Sequence, residues 1–253
     1  MLEHTLVFKS SLVRISDVHC RSGKGGCGEV ERETSPRLVL PRRGAFAYHF
    51  SHRDEVIADA NTAIALHPQM NFKVSHPIDG GDCCTVFEFT DDAVLGGLRG
   101  AVPANARALF AGRIARLHAD RSETLAVEEQ VLACLDAYTA TRRGAASSAI
   151  VERAKAVIAR DPFDDRSLAD IAAEAGASPY HLTRTFRRVT GLSLHAYRVQ
   201  LRLARGLERA SAGESLARVA VDSGFAHHSH FTAAFRKHFG TVPSQLRKIS
   251  IAS

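Results

Sequence analysis

The sequence predicts an α+β protein of two domains, a strand-rich N-terminal part followed by an all-helical C-terminal one. Three observations predict it. The hydrophobic period changes from 2 to 3.6 along the chain, the charge divides unevenly between the two parts, and the helical part contains an internal repeat. With 253 residues, 45% hydrophobic and 24% charged, the composition is that of a globular protein long enough to bury two cores. Residues 1–140 carry 15 Lys+Arg against 18 Asp+Glu, a net of −3, whereas residues 141–253 carry 18 against 9, a net of +9. A basic excess confined to one part marks a nucleic-acid-binding module joined to a domain of another purpose. No run of 18 apolar residues occurs, so no membrane span is expected. Met1-Leu2-Glu3-His4 lacks the basic start and apolar run of a signal peptide, so the expected location is cytoplasmic.

Residues 1–100 form the first expected domain. Thr5–Phe8, Leu12–Ile15, Arg37–Leu40, Phe46–Phe50, Thr62–Leu66 and Thr85–Phe89 read as strands, separated by turn signals at Pro36, Pro41, Gly44, His67-Pro68 and His76–Gly81. Short strands at this spacing predict a sandwich or barrel. Residues 101–140 form a helical region in which the period lengthens. Ala108, Phe110, Ile114 and Leu117 recur at helical spacing, then Leu125, Val131, Leu132, Leu135 and Tyr138, with a break near Asp120-Arg121-Ser122. Two such helices either cover the sheet or turn one face to a second subunit. Residues 141–148, Thr-Arg-Arg-Gly-Ala-Ala-Ser-Ser, read as a linker.

Residues 149–253 are helical and repetitive. Ser167-Leu168-Ala169-Asp170-Ile171-Ala172 matches Ser215-Leu216-Ala217-Arg218-Val219-Ala220, and Gly176 matches Gly224. One inserted residue later, Thr183, Phe186, Arg187, Arg188 and Gly191 match Thr232, Phe235, Arg236, Lys237 and Gly240. Ser167 and Ser215 stand as N-caps, Gly176 and Gly224 end the helices they start, and Ser178-Pro179 opens the next helix. Short helix, glycine turn and basic second helix make a helix-turn-helix, whose second helix enters the major groove. Between the copies, Ser193 to about Ala212 reads as one helix with Leu194, Tyr197, Leu201, Ala204 and Leu207 on one face. Its length of about 30 Å approaches the roughly 34 Å between successive major grooves. Phe186, Phe231, Phe235 and Phe239 fall at core spacing.

Residues 149–248 resemble the DNA-binding domain of the AraC/XylS family of bacterial transcription regulators. The resemblance is carried by Ser167–Ala172, Ser178–Phe186, Ala220–Phe225, Ser229–Gly240 and Pro243; Leu246 departs from the family's usual aromatic. It implies that Tyr180, Thr183 and Arg184 of the first reading helix, and His227, His228, Ser229 and Thr232 of the second, face DNA bases. Arg184 suits a bidentate contact to guanine. Arg187, Arg188, Arg236 and Lys237 suit phosphates. The implied partners are double-stranded DNA and RNA polymerase, with the chain acting as an activator, and a small-molecule effector and a homodimer are further expectations. The N-terminal domain is expected to be a cupin-like β-barrel. It lacks the His-x-His and downstream Glu of a metal-dependent cupin enzyme, so no enzymatic activity is expected.

Four of the five cysteines lie in the N-terminal domain: Cys20, Cys27, Cys83 and Cys84. The first two bracket a glycine-rich loop, Arg21–Gly26. In a cytosolic protein such thiols point to a zinc site, a redox- or metal-responsive site, or inert buried thiols. A zinc set would draw on Cys20, Cys27 and Cys84, with Cys83, His19 or His76 completing it. On a strand, however, Cys83 and Cys84 face opposite ways. Cys134, on a helix, is expected in the core. Two other functions compete. A zinc-cysteine alkylation-repair regulator uses the same DNA-binding module but has closely spaced cysteine pairs. A non-specific architectural DNA binder would not need the separate acidic domain.

Overall fold

Alternating apolar segments broken by glycine and proline give antiparallel strands. The computed structural model describes residues 2–51, 54–119, 124–139 and 148–245. The break near Asp120, residues 141–147 of the expected linker and Leu246 lie outside the described residues. The strands are β1 (Leu2–Lys9), β2 (Val13–Cys20), β3 (Glu31–Arg32), β4 (Arg37–Arg43), β5 (Phe46–His49), β6 (Glu55–Ala58), β7 (Thr62–Leu66), β8 (Asn71–Ser75), β9 (Asp82–Phe89) and β10 (Gly100–Pro103). They form a six-stranded sheet ordered β1-β2-β9-β4-β7-β10 and a four-stranded sheet ordered β3-β8-β5-β6. Among the described residues no strand is shared between the two, so the expected barrel is present as two sheets.

The period of two decides what each strand face meets. Val18, Val39, Ile64, Leu66 and Cys84 point between the sheets, where they pack on Phe46, Tyr48, Val56 and Phe72. Val13, Ile15, Leu38, Ala63, Ala65, Phe87 and Phe89 point the other way, onto α1 (Ala106–Ala119) and α2 (Thr124–Thr139). The helices therefore cover the large sheet. Gly112 of α1 allows this closeness: a Cβ there would stand 3.0 Å from Leu40 Cδ1 and 3.3 Å from Cys134 Sγ. Cys134 is in the core as expected, and burial pushes its thiol up to about 12. Leu125 and Leu132, assigned to the apolar stripe of α2 on sequence, are exposed, while Val127, Val131, Leu135 and Tyr138 carry the packing.

The C-terminal helices are α3 (Ala149–Arg160), α4 (Leu168–Ala175), α5 (Pro179–Thr190), α6 (Leu194–Ser211), α7 (Leu216–Asp222) and α8 (His228–Phe239). They hold two cores joined by α6. Leu194, Tyr197, Leu201 and Ala204 pack on α3, α4 and α5, and this core continues onto Ala45, Ala47, Ile57 and Ile78 of the N-terminal domain. Leu203, Leu207 and Ala210 pack on Phe225, Phe231 and Phe235, and this core takes in Ile114 and Leu117 of α1. One side of α1 thus covers the sheet and the other holds the helical domain.

Charged groups buried in the contact between the two domains are matched, as desolvation requires. Arg42 Nη1 donates to Glu208 Oε1 at 2.8 Å, and Arg113 Nη1 stands 2.9 Å from Glu208 Oε2. Asp17 accepts from Arg116 Nε and from Thr85, each at 2.8 Å. Glu152 accepts from the Ile57 amide at 2.8 Å and from Lys155, which also donates to the Ile57 carbonyl. The Tyr197 hydroxyl donates to Asp59 Oδ2 at 2.5 Å. Burial raises the Asp59 carboxyl, against the opposing pull of Lys155 and the Tyr197 hydrogen bond.

Candidate nucleic-acid interface and thiol sites

Each reading helix is set by its own local chemistry. Ser167 and Asp170 form a reciprocal capping box at the start of α4. Gly176 ends α4 at φ 72°, ψ 40°, where only a left-handed residue turns the chain tightly enough into α5. Ser178 accepts from the His181 amide, and Pro179 supplies the first turn of α5. The second copy is looser. Ser215 caps α7 without a side-chain hydrogen bond, Ser223 is the C-cap, and Gly224 takes the positive φ of +74° one residue later. His227 caps α8 without a side-chain bond.

The apolar residues of α5 and α8 turn inward and leave a polar face outside. Leu182 and Phe186 are buried in the first motif, Phe231 and Phe235 in the second. Phe239, expected in the core, is half-buried and lies against Phe235 and Phe110. Tyr180, Thr183, Arg184, Arg187, Arg188, His227, His228, Ser229, Arg236 and Lys237 are exposed, and Thr232 is half-buried. The spacer α6 has 18 residues, about 27 Å of helix. Ser193 caps it, and all five residues of its expected apolar face are buried.

Several cations of the helical domain are held by its own carboxylates. Arg160 and Arg166 hold Glu174, and Arg166 also holds Asp164. Arg209 holds Glu214 and Asp222, a match that raises the guanidinium's proton affinity. Arg184, Arg187, Arg188, Arg236 and Lys237 form no ion pair among the described residues. Their charge, standing on the outward faces of two matched helices, is unneutralised and open to a polyanion.

The four expected zinc cysteines are not brought together. Cys27 is exposed in its loop. Cys83 and Cys84, adjacent on β9, point to opposite faces, and burial raises both thiols. Cys20 instead meets His76 and Asp82. Their ligand atoms all lie within 4.8 Å of one another, the only such group among the described residues. A buried Cys/His/Asp group of this kind could hold a metal. The cysteine pattern of the sequence offers His76 only as an alternative ligand and gives no role to Asp82. The signal for Asp82 was its place at the start of the Cys83-Cys84 strand, directly after Gly80-Gly81. Also unforeseen were Asp17, Glu152 and Lys155, polar residues at inward positions of otherwise apolar patterns.

Residues 171–249 match the family model described as a helix-turn-helix domain. The chain is 38% identical over 104 residues to the HTH-type transcriptional regulator GlxA of Rhizobium meliloti (strain 1021), a match covering 40% of this chain and 31% of the relative. It is 33% identical over 85 residues to the bifunctional transcriptional activator/DNA repair enzyme AdaA of Bacillus subtilis (strain 168), covering 33% of this chain and 39% of that one. The chain thus spans about a third of the length of these curated relatives. Among solved structures, ToxT of Vibrio cholerae O395 is 12% identical, with 96% of this chain and 100% of that chain covered and a TM-score of 0.41.

Proposed function

The chain belongs, through its helical domain, to the AraC/XylS-type helix-turn-helix transcriptional regulators, and from that premise we propose that it binds duplex DNA sequence-specifically with α5 and α8 in successive major grooves. The observation that carries this reading is the segregation of cations. Arg160, Arg166 and Arg209 are matched to carboxylates and Arg153, Arg198 and Arg202 donate to backbone carbonyls, whereas Arg184, Arg187, Arg188, Arg236 and Lys237 face outward unmatched. Arg184, one turn into α5, reads a guanine edge; Tyr180, Thr183, His227, His228, Ser229 and Thr232 face the remaining bases. The other four cations hold phosphates.

The N-terminal domain is the regulatory part in this reading. Between the domains lies a cleft of about 310 Å³ lined by Arg42, Arg43, Gly44, Gly80, Gly81 and Arg205 among others. Arg43 and Arg205 form no ion pair among the described residues, so the cleft suits a small anionic effector. The exposed Leu125 and Leu132, two turns apart on α2, suit a second copy of the chain. The chain acts as an activator through RNA polymerase. A zinc-cysteine repair activity draws no support from Cys20, Cys27, Cys83 and Cys84, which do not converge.

Selection of bound sequences from a random duplex pool tests the proposal. The expected product is a site with two conserved blocks one helical turn apart. Arg184→Ala should relax base preference at one position, a discrimination loss of about 1–3 kcal/mol. Equal affinity for selected and random duplexes would refute the proposal, and an unchanged profile in Arg184→Ala would refute that residue's role.

A further inference from the structure

Three elements end at one point in the N-terminal domain. Cys20 is the last residue of β2, Asp82 the first of β9, and the two are direct cross-strand partners. His76 follows β8 immediately and is bridged through its backbone to Gly25 of the glycine-rich loop. His76 Nε2 lies 3.2 Å from Cys20 Sγ and 3.3 Å from Asp82 Oδ2. One ring nitrogen therefore faces both other groups, and it carries at most one proton, which can serve only one of them. Asp82 Oδ2 is left buried with no hydrogen bond, in a residue only 5% exposed. A buried carboxylate oxygen without a partner is destabilising, and such an atom calls for a cation.

We propose that Cys20, His76 and Asp82 are the protein ligands of a divalent metal ion of the zinc class, and that its binding stiffens one of the loops through which the N-terminal domain touches the helical domain. A thiolate, an imidazole and a carboxylate are a donor set that borderline-soft zinc accepts. The 3.2 and 3.3 Å spacings from His76 Nε2 are already close to those around a tetrahedral ion with metal–ligand bonds of about 2.0–2.3 Å. Three protein ligands leave one position for water or a further donor. On binding, the Cys20 thiol releases its proton to solvent and ligates as the thiolate.

The coupling follows from chain connectivity. The segment between His76 and Asp82 is Pro77-Ile78-Asp79-Gly80-Gly81. Ile78 is buried in the core shared with Val157, Ile158, Ala159 and Leu201 of the helical domain. Asp79, Gly80 and Gly81 line the cleft facing Arg160 to Phe163. Asp79 also accepts from the Lys24 amide at 2.7 Å, which ties in the glycine-rich loop. An ion joining Cys20, His76 and Asp82 clamps both ends of this docking segment at once.

The test uses the full chain with cobalt(II) as a spectroscopic probe and zinc(II) as competitor. We expect one cobalt per chain with a thiolate-to-metal absorption band, displaced by zinc. Cys20→Ser should abolish the band, and His76→Gln and Asp82→Asn should each weaken binding by more than about 100-fold, beyond the effect of losing an outer partner. Cys27→Ser should change nothing. Hydrogen exchange at residues 78–81 should slow on adding zinc to the wild type and stay unchanged in Asp82→Asn. Should Cys20→Ser fail to fold by circular dichroism, His76→Gln and Asp82→Asn carry the same outcome. Absence of the band, its survival in folded Cys20→Ser, or full affinity in His76→Gln would overturn the site. Unaltered exchange at 78–81 would overturn the coupling. Neither measurement involves DNA, so a failure of the DNA-binding proposal leaves this one standing.

Discussion

Replacing Arg236 and Lys237 together by alanine should weaken DNA binding in a way set by salt more than by sequence. Both side chains are exposed late in α8, and neither has a carboxylate partner among the described residues. In the proposed reading, with Arg184 on a base, Arg187, Arg188, Arg236 and Lys237 are the phosphate-binding set. Each phosphate neutralised contributes about −0.9 to the slope of log K against log salt, so the set contributes about −3.6. The double variant should keep about −1.8 of that. Raising salt from 50 to 200 mM then costs these contacts about 150-fold in the wild type but only about 12-fold in the variant. Fluorescence anisotropy with a selected duplex across a salt series measures both slopes. Arg209→Ala is the control, because Arg209 already spends its charge on Glu214 and Asp222. An unchanged slope in the double variant, or an equal fall in Arg209→Ala, would refute the division of cations on which the functional reading rests.

Other positions give equally direct tests. Gly206 lies where α6 crosses α8, and a Cβ there would stand 2.6 Å from the Phe231 ring, which Phe225 and Phe235 hold in place. Gly206→Ala should therefore lower stability by about 1–2 kcal/mol, overpacking outweighing the helix-propensity gain; a raised urea midpoint would contradict this. Asp59 gives a pH signature. Its carboxyl keeps its proton to higher pH in the folded chain than in the unfolded one. The folded state therefore binds more protons from about pH 4 upward, and this residue's contribution to stability falls as pH rises through that window. Measured against Asp59→Asn, the wild type should lose relative stability on going from pH 4 toward neutrality; a difference that stays constant with pH would sink the assignment.

The helical domain was largely legible in the sequence because its information is local. Caps, glycine turns and an apolar stripe of period 3.6 lie within a few residues of one another, and duplication states them twice. Position along α5 and α8 separates the residues expected exposed from those expected buried except at Thr232 and Phe239, both of which are half-buried. The second copy nevertheless departs where Ser215 makes no capping bond and Gly224 stands one residue past the helix end. The N-terminal domain was less legible because its chemistry is non-local. Alternation correctly separated Cys83 from Cys84, yet nothing in the spacing of Cys20, His76 and Asp82 announced that they meet, since strand pairing brings them together from opposite ends of the domain. Leu125 and Leu132 erred in the other direction: an apolar stripe says that a face is hydrophobic, not that the fold covers it.

The place of Glu208 on α6 has a consequence for how regulation would reach DNA. Arg42 and Arg113 of the N-terminal domain grip this residue on the helix that joins α5 to α7 and α8, the reading heads of the proposed function being α5 and α8, which keep their outward faces uncovered. A signal arriving through that grip leaves the heads accessible. What it can alter is their relative angle, and so whether they match the phase of the double helix. Sites of different spacing or twist would then answer differently to the same signal.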